Sequence, residues 1–375
     1  MDFIIGTLEA VTWQNLVMMC VGGLLIWMAV KKGFEPNLLL PMGFGTILVN
    51  LPLSSALDQI VGGKVIEGAL SMFFKLGIAT EIMPLLILIA VGAMCDFTPL
   101  LANPKVFIFG ITAQAGIFLT MGLALMLGYN VYEAASIGII GAADGPTSIY
   151  VATRFAPNLL GPISVAAYTY MALVPLIQPP VVMALTTKKE RMMRMPYADK
   201  PISRRTLILF PIFVTILGGI IAPASVALLG FVMFGNLLRV SGVTDRLSNA
   251  AQNELANIVT ILLGFSIAAT MTGAKFVNLS TLVIIAMGLV AFVLDTAGGV
   301  LTAKLLNLFL PENKKVNPMI GAAGISAFPM SARTIQIMGQ KADPGNFLLM
   351  HAVGANVAGQ IGSVLAGGIL LAYLG

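Results

Sequence analysis

The sequence predicts an all-α polytopic membrane protein with interrupted helices, and three observations support this prediction. Of its 375 residues, 58% are hydrophobic and only 10% are charged, whereas soluble domains carry about 25% charged residues. Apolar stretches of the roughly 20 residues that a bilayer-spanning helix needs recur along the chain. The 39 glycines and 20 prolines favour broken helices, because lipid tolerates them only where neighbouring groups satisfy the freed backbone.

Eight stretches are long and apolar enough to span a bilayer. They are 11–30, 82–101, 106–128, 160–186, 207–230, 255–272, 279–303 and 346–374. The first follows two acidic residues, Asp2 and Glu9, and is long enough to cross. We therefore interpret it as a retained helix and not as a cleaved signal peptide.

The net charge of +5 arises from one loop. Seven basic and two acidic residues lie between 187 and 206, and the positive-inside rule places this loop in the cytoplasm. The basic excess is therefore a topology signal and does not indicate nucleic-acid binding. Two cysteines, Cys20 and Cys95, and a single histidine, His351, argue against a disulfide framework and a transition-metal site.

The basic loop also divides the chain into two halves that share a motif. Pro146-x-Ser recurs 183 residues later at Pro329, and Gly141-Ala-Ala recurs 180 residues later at Gly321. These spacings suggest a duplication in which the second copy carries three extra residues. Chance similarity in a chain so rich in glycine and alanine is the alternative.

We predict four units from this organisation. They are an N-terminal transmembrane helix at 1–33, a first repeat at 34–186, the basic cytoplasmic loop at 187–206 and a second repeat at 207–375.

Each half contains a short apolar run that is cut by glycine and proline. The first break separates 135–143 from 147–153, and the second separates 318–325 from 330–338. Duplicated transporters often bind their ion where discontinuous helices meet near the midplane. Helix ends at such breaks expose oriented amides and carbonyls that an ion can use.

Asp144 is the most informative residue, because it lies inside the first break without a basic residue nearby in the sequence. A carboxylate inside a membrane costs several kcal/mol unless it is paired or solvated, so it is a functional candidate. Thr147, Ser148 and freed carbonyls could complete an oxygen shell for sodium. The alternative is a solvated turn at the membrane edge, since Asp-Gly is a turn signal.

The second break has its own polar set: Asn317, Ser326, Ser331 and Arg333. Asn317 precedes a proline and also suits a helix cap. Arg333 could bind a carboxylate through its planar fork, or it could extend to the membrane interface.

Three further polar residues lie within predicted spans: Tyr170, Asn356 and Asp295. A tyrosine hydroxyl or an amide there needs a partner, and an ordinary bond between helices satisfies that need. Asp295, with Lys304 nine residues later, indicates either a second ion site or a structural pair.

Longer motifs carry a family resemblance. The segments GAADGPTS at 141–148 and NPMIGAAGISAFPMSAR at 317–333 resemble the β subunit of sodium-translocating, biotin-dependent decarboxylases. This group includes the oxaloacetate, methylmalonyl-CoA, glutaconyl-CoA and malonate systems. Further matches, which extend the resemblance over nearly the whole chain, are Phe34-Glu-Pro, Gly43-Phe-Gly, GAMCDF at 92–97 and HAVGAN at 351–356.

The resemblance implies roughly 11 transmembrane helices in two inverted repeats, whose discontinuous helices meet near the midplane. It implies a multi-pass protein of a bacterial or archaeal cytoplasmic membrane, in a trimeric complex with a small γ/δ-type membrane subunit. A soluble carboxyltransferase subunit and a biotin carrier domain or subunit would be the other partners. Carboxybiotin would arrive on that carrier, which agrees with the lack of a Met-Lys-Met biotin-attachment site in this chain.

The resemblance also implies functional positions: Asp144, Tyr170, Asn317, Gly321, Ser326, Arg333 and Asn356. In the chemistry expected, Asp144 binds sodium or a proton, and Tyr170 ligates sodium or relays the proton. Thr147, Ser148, Asn317, Ser326 and Asn356 supply further sodium oxygens, and Arg333 engages the carboxylate of carboxybiotin.

The predicted function is a primary sodium pump that decarboxylates carboxybiotin, consumes a proton and exports sodium. The only metal ion expected is sodium. The alternative is a sodium-coupled secondary transporter of a small anion, which would share the duplicated halves, broken helices, intramembrane acid and arginine. The short chain favours the acyl-CoA systems over the oxaloacetate system.

Overall fold

The computed structural model describes residues 10–196 and 201–375. Over these ranges the chain is almost entirely helical, apart from connecting segments and one small β-hairpin. Residues 1–9 of the predicted first unit and 197–200 of the predicted basic loop lie outside the described residues. The predicted all-α membrane fold is confirmed.

The first half has ten helices and the hairpin within residues 10–196. They are α1 (Trp13–Lys32), α2 (Pro36–Asn50), β1 (Gln59–Val61), β2 (Lys64–Ile66), α3 (Ala69–Phe73), α4 (Ile82–Met94), α5 (Thr98–Ala102), α6 (Phe107–Thr112), α7 (Ala115–Met126), α8 (Val131–Gly138), α9 (Gly145–Phe155) and α10 (Leu160–Leu185). A π turn extends α3 over Phe74–Ile78, and a 3₁₀ turn extends α8 over Ile139–Ala142.

The second half follows the short α11 of the basic loop. Its helices, with that one, are α11 (Lys188–Arg191), α12 (Arg204–Ile221), α13 (Val226–Val240), α14 (Asp245–Ala250), α15 (Ala256–Ala268), α16 (Gly273–Phe276), α17 (Leu279–Phe309), α18 (Met319–Ala322), α19 (Met330–Ala342) and α20 (Leu349–Leu374).

Seven helices in the described ranges are long and apolar enough to cross a membrane, and a bent pair formed by α3 and α4 would make eight. This does not confirm the expected 11 spans, because the other candidate segments are short or interrupted. The predicted span 207–230 is wrong in its bounds: the chain turns at Ala222, and α12 and α13 are separate. Pro223 begins the 3₁₀ turn between them, where its fixed φ suits a helix start.

The polar segment around Asp58, between α2 and α3, contains the hairpin. Gly62 and Gly63 form its turn with positive φ angles of 60° and 78°, which glycine adopts without steric cost. Lys75 pairs with Asp58 at 3.1 Å and with Glu67 at 2.8 Å. These are surface ion pairs, and such pairs contribute little to stability.

The two halves repeat one order of elements: a long span, a discontinuous pair and a second long span. The order is α6–α7, α8 with α9, and α10 in the first half, and α17, α18 with α19, and α20 in the second. A shared contact supports the spacing of 183. Ser148 Oγ donates to the Ile139 carbonyl and Ser331 Oγ donates to the Ala322 carbonyl, each at 3.3 Å and each nine residues back.

The serine and the carbonyl that it contacts are nine residues apart in both halves. This part of the second half therefore contains no insertion of three residues. The Gly-Ala-Ala similarity at a spacing of 180 is therefore out of register with the contacts. At the spacing of 183, the position equivalent to Asp144 is Ala327. Only one of the two breaks therefore carries an acid. Whether the two halves are inverted stays a prediction.

Small residues let the broken helices approach their neighbours. A Cβ added at Gly321 would lie 2.0 Å from the Gly299 carbonyl oxygen, and one at Gly299 would lie 2.0 Å from the Gly321 oxygen. A Cβ at Gly324 would lie 2.3 Å from the carbonyl oxygen of Phe109, in the opposite half. Membrane helices associate through such close backbone packing, because lipid gives no hydrophobic drive.

Candidate functional site

The first break is a turn between the 3₁₀ end of α8 and the start of α9. Ala143 adopts a left-handed conformation with φ of 52°, an uncommon and costly state for a residue with a Cβ. Asp144 follows as the N-cap of α9, and Pro146 occupies the first turn, where its missing N–H is harmless. The break thus directs the Asp144 side chain into the protein.

The Asp144 carboxylate is held by hydroxyl and amide donors. Its Oδ2 accepts from Thr147 Oγ1 at 2.7 Å, from Ser363 Oγ at 2.9 Å and from Gln360 Nε2 at 3.0 Å. Only 4% of the residue is exposed. No cationic side chain of the described residues contacts it, so the predicted solvated-turn alternative is not what the structure describes.

The backbone of the second break is held by three buried amides. Asn356 Nδ2 donates to the Ile325 carbonyl at 2.6 Å, and Gln178 Nε2 donates to the Ala322 carbonyl at 2.8 Å. Gln114 Nε2 donates to the Gly324 carbonyl at 3.3 Å. The amide oxygens of Asn356, Gln178 and Gln114 have no hydrogen-bond partner within the described residues. Buried acceptors of this kind normally have one.

The two breaks touch directly. Ser326 donates to the Ala142 carbonyl twice, from its backbone N–H at 3.2 Å and from its Oγ at 2.7 Å. Helices of each half also contact the break of the other half. Gln178 of α10 bonds to the Ala322 carbonyl in the second break, and Gln360 of α20 bonds to Asp144 in the first. The structure therefore brings Asp144, Ser326 and Asn356 into one connected region with Thr147 and Ser148.

Asn317 lies elsewhere in the contact network. Its Nδ2 donates to the carbonyls of Arg191 and Met193, at 3.1 and 2.8 Å. Its Oδ1 accepts from the N–H of Met319 at 3.0 Å. Asn346 donates to the same two loop carbonyls. The described contacts of Asn317 therefore anchor the basic loop to the start of α18, and they do not join it to Asp144.

Arg333 is exposed on α19 and forms no ion pair with a described residue. Near it, a cavity of about 360 Å³ opens between the C-terminal ends of α10 and α19. Lys188, Arg191 and Lys341 line it without an acidic residue. Pro179 and Thr334 of its wall are neighbours in sequence of Gln178 and Arg333. The cavity suits an anion that approaches from the side of the basic loop.

Tyr170 and Tyr168 face different surroundings. The Tyr170 hydroxyl donates to the Ile285 carbonyl on α17, which is the bond between helices that the sequence left open as an alternative. The Tyr168 ring instead packs on Gly145, since a Cβ added there would lie 2.3 Å from Tyr168 Cζ. Tyr168 is thus the tyrosine beside Asp144.

Asp295 is fully buried in α17. Neither of its carboxylate oxygens has a hydrogen-bond partner among the described residues. They lie against Gly116 at the start of α7 and Gly141 beside the first break, where an added Cβ would be 2.5 and 2.4 Å away. Lys304, its possible partner, pairs with Glu190 of the basic loop at 3.2 Å. Asp295 therefore does not form the structural pair with Lys304, and the second ion site that the sequence allows for it stays a prediction.

Sequence reasoning missed Gln360 and Ser363. Together with Asn356 they occupy positions i, i+4 and i+7 of α20, which share one helix face. A polar stripe of this kind in an apolar span was visible in the sequence. Gln114 and Gln178 had no such pattern.

The arrangement has a clear electrostatic consequence. Neutral donors offset part of the cost of a buried carboxylate, but they leave its charge uncompensated. A sodium ion or a proton would complete the site, and occupancy by one would exclude the other. Lone pairs at Asn356 and at the break carbonyls are suitable hard oxygen ligands.

Comparisons with known proteins point to the same chemistry. A family model described as the Na+-transporting oxaloacetate decarboxylase beta subunit matches residues 14–374. The chain is 50% identical to the glutaconyl-CoA decarboxylase subunit beta of Acidaminococcus fermentans over 366 residues, covering 98% of this chain and 95% of that protein. It is also 50% identical to the methylmalonyl-CoA decarboxylase subunit beta of Veillonella parvula over 365 residues, covering 97% and 94%.

The oxaloacetate decarboxylase beta chain of Klebsiella pneumoniae is 45% identical over 412 aligned positions, which cover 96% of this chain and 94% of that protein. These matches extend over nearly the whole length of both partners. The family resemblance seen in the motifs is confirmed. The chain therefore belongs to the family of Na+-transporting oxaloacetate decarboxylase beta subunits.

Proposed function

We propose that this chain is the membrane subunit of a sodium pump that decarboxylates carboxybiotin, consumes a proton and exports sodium. The observation that carries the proposal is the buried Asp144 carboxylate, which three neutral donors hold and no described cation neutralises. Such a group binds sodium and a proton in alternation, as this coupling requires. Sodium leaves Asp144 when the proton for the biotin ureido group passes through the site.

In this proposal Thr147, Ser148, Ser326 and Asn356 contribute oxygens around the two breaks. The contact between Ser326 and the Ala142 carbonyl supports a shared site, because a movement of one break is transmitted to the other. Tyr170 acts through the packing of α10 on α17. Asn317 acts by fixing the loop against α18, which is a positioning role.

Arg333 and the basic cavity are proposed to receive the carboxylate of carboxybiotin from the cytoplasm. A biotin carrier domain or subunit presents it, after loading by a soluble carboxyltransferase subunit. The three cationic side chains of the cavity support this side of entry. We further propose a trimer with a small γ/δ-type membrane subunit in a bacterial or archaeal cytoplasmic membrane.

An acyl-CoA is the proposed carboxyl donor of the complete system. Two relatives named for acyl-CoA substrates are 50% identical, against 45% for the oxaloacetate relative. The latter alignment also needs 412 positions, although this chain has 375 residues. The difference in identity supports the choice of substrate class.

The test is carbon dioxide release from free carboxybiotin by the purified complex in proteoliposomes, with and without sodium. We expect release by the wild type, and slower release by Arg333→Lys, because lysine keeps the charge but loses the bidentate fork. Arg205→Lys, at an exposed position of the basic loop, is the matched control and should behave as wild type. A wild-type complex that releases none above the spontaneous rate, yet carries an anion with sodium, would establish the secondary-transporter alternative.

A further inference from the structure

A large cavity opens on the face of the protein opposite the basic loop. It has a volume of about 760 Å³, and its walls include Asp58, Asn158, Gly161 and Thr270. Asn158 and Gly161 lie at the start of α10, whereas the basic loop follows the end of that helix. Since 26 helical residues rise roughly 39 Å, the two ends of α10 lie at opposite membrane faces. We call this cavity the outer vestibule.

One face of α10 leads from the outer vestibule to the first break. Gly161, Ser164 and Tyr168 follow each other at intervals of three and four residues, so they lie on the same face. Gly161 lies against Thr270 at the floor of the vestibule, where a Cβ would be 2.6 Å from its Oγ1. From Gly161 to Tyr168 the helix rises only roughly 10 Å. This rise is the distance, measured along the axis of α10, between the vestibule at Gly161 and the level of Gly145.

Tyr168 closes the inner end of this face. Its ring packs on Gly145, the residue directly after Asp144. The phenol is 4% exposed and its hydroxyl has no hydrogen-bond partner among the described residues. Ser164, one turn nearer the vestibule, is equally buried, and its Oγ has no described partner either.

The Thr169 hydroxyl also lacks a described partner, but Thr169 lines the apolar cavity beside α1. Ser164 and Tyr168 differ from it because they share the helix face that leads from the vestibule to Gly145. Leaving a buried polar group unsatisfied destabilises the folded protein, and apolar side chains would pack the same helix face without that cost. Hydroxyl oxygens are useful there if a hydrated or partly dehydrated cation passes them. A cation that leaves Asp144 toward the vestibule would meet Tyr168 first and Ser164 second.

We propose that Ser164 and Tyr168 line the sodium route between Asp144 and the outer vestibule, and that the Tyr168 ring is its gate. The gate is closed when the ring packs on Gly145, and it opens by a rotation or shift of the ring away from this residue. This inference rests on the proposed function in one respect, namely that Asp144 is the sodium site. Its test by cysteine labelling does not require any decarboxylation.

The labelling test uses single cysteines in a background without Cys20 and Cys95. Thr270→Cys reports on the vestibule and Ser164→Cys on the route, and an impermeant thiol reagent is added from the outer side of intact cells. Thr169→Cys is the matched control, because Thr169 is adjacent in sequence but faces an apolar cavity beside α1.

We expect Thr270→Cys to react fast, Ser164→Cys to react slowly and Thr169→Cys to remain unlabelled. Thr147→Cys lies beside Asp144 on the inner side of the Tyr168 ring, so it should label very slowly. Combining it with Tyr168→Ala should raise its labelling rate roughly tenfold or more, since closed states of such gates exceed open states by ten- to a thousandfold. Tyr168→Phe keeps the ring and should leave the labelling slow. Equal labelling of Ser164→Cys and Thr169→Cys would overturn the route, and labelling of Thr147→Cys that does not rise in the Tyr168→Ala background would overturn the gate.

A transport measurement tests the gate itself. In proteoliposomes without carboxybiotin, Tyr168→Ala should leak radioactive sodium faster than the wild type, and the leak should disappear when Asp144→Asn is added. Tyr168→Phe should remain tight. Failure of the decarboxylation assay with this leak present would refute only the proposed function, whereas a tight Tyr168→Ala variant that binds sodium normally would refute the gate.

Discussion

Replacing Asp144 with asparagine removes the charge of the buried carboxylate and leaves its shape in place. The asparagine amide oxygen can take the position of Oδ2 and accept the same bonds from Thr147, Gln360 and Ser363. A neutral amide costs less to bury than an unpaired carboxylate. We therefore expect the variant to insert and fold normally, with an unfolding temperature close to that of the wild type.

Sodium binding should be lost, and the structure sets the magnitude. No other acid of the described residues contacts the Asp144 carboxylate, so the whole charge opposite the ion disappears. At an ion–oxygen distance of roughly 2.5 Å, as for calcium, and an effective dielectric constant of about 20, the attraction is about 7 kcal/mol. If solvation changes offset half of it, about 3 kcal/mol remains, which weakens sodium binding by roughly 100-fold or more.

The assay is binding of radioactive sodium to the purified complex, together with the sodium dependence of carbon dioxide release. Asp245→Asn is the matched control, because Asp245 is an exposed acid in the first turn of α14. It should retain the wild-type sodium dependence. Sodium-stimulated turnover by Asp144→Asn at half-saturating concentrations near those of the wild type would refute the reasoning.

Three further predictions concern packing, topology and pH. Gly321→Ala forces a Cβ to within 2.0 Å of the Gly299 carbonyl oxygen, so it should destabilise the protein by about 1–3 kcal/mol or more, measured by thermal unfolding in detergent. Lys189→Cys, in a background without native cysteines, should label with impermeant reagents only in inside-out vesicles, whereas labelling of intact cells would reverse the orientation. The Arg194 guanidinium lowers the pKa of Asp343 by hydrogen bonding. The loop should therefore stay docked above the ordinary aspartate pKa of about 4 and loosen as pH falls through the lowered value. The protection of the amides of residues 192–195 against hydrogen exchange, relative to the intrinsic rate at each pH, measures this loosening, and protection that does not fall at low pH would contradict it.

The sequence by itself determined the class of the protein and the position of its breaks. The composition and the length of an apolar stretch decide whether that stretch can span a bilayer. Both can be counted in the sequence, so the membrane fold could be predicted without knowing any contact between residues. The lone acid between glycine and proline identified Asp144 because the cost of a buried charge does not depend on fold details. The number of spans could not be predicted from the sequence, because short and bent helices such as α3 and α4 cannot be recognised by the length of an apolar stretch.

The tertiary structure decided which polar groups meet. Gln360 and Ser363 lie more than 200 residues from Asp144 in sequence, and only helix packing brings them to its carboxylate. Packing also separates Asn317 from that carboxylate and selects Tyr168 over Tyr170 as its neighbour. Residues two positions apart point about 200° apart around a helix, so the local sequence alone predicts that Tyr168 and Tyr170 face different surroundings. Which of them faces the site depends on where α10 lies, and that is set by contacts between the two halves.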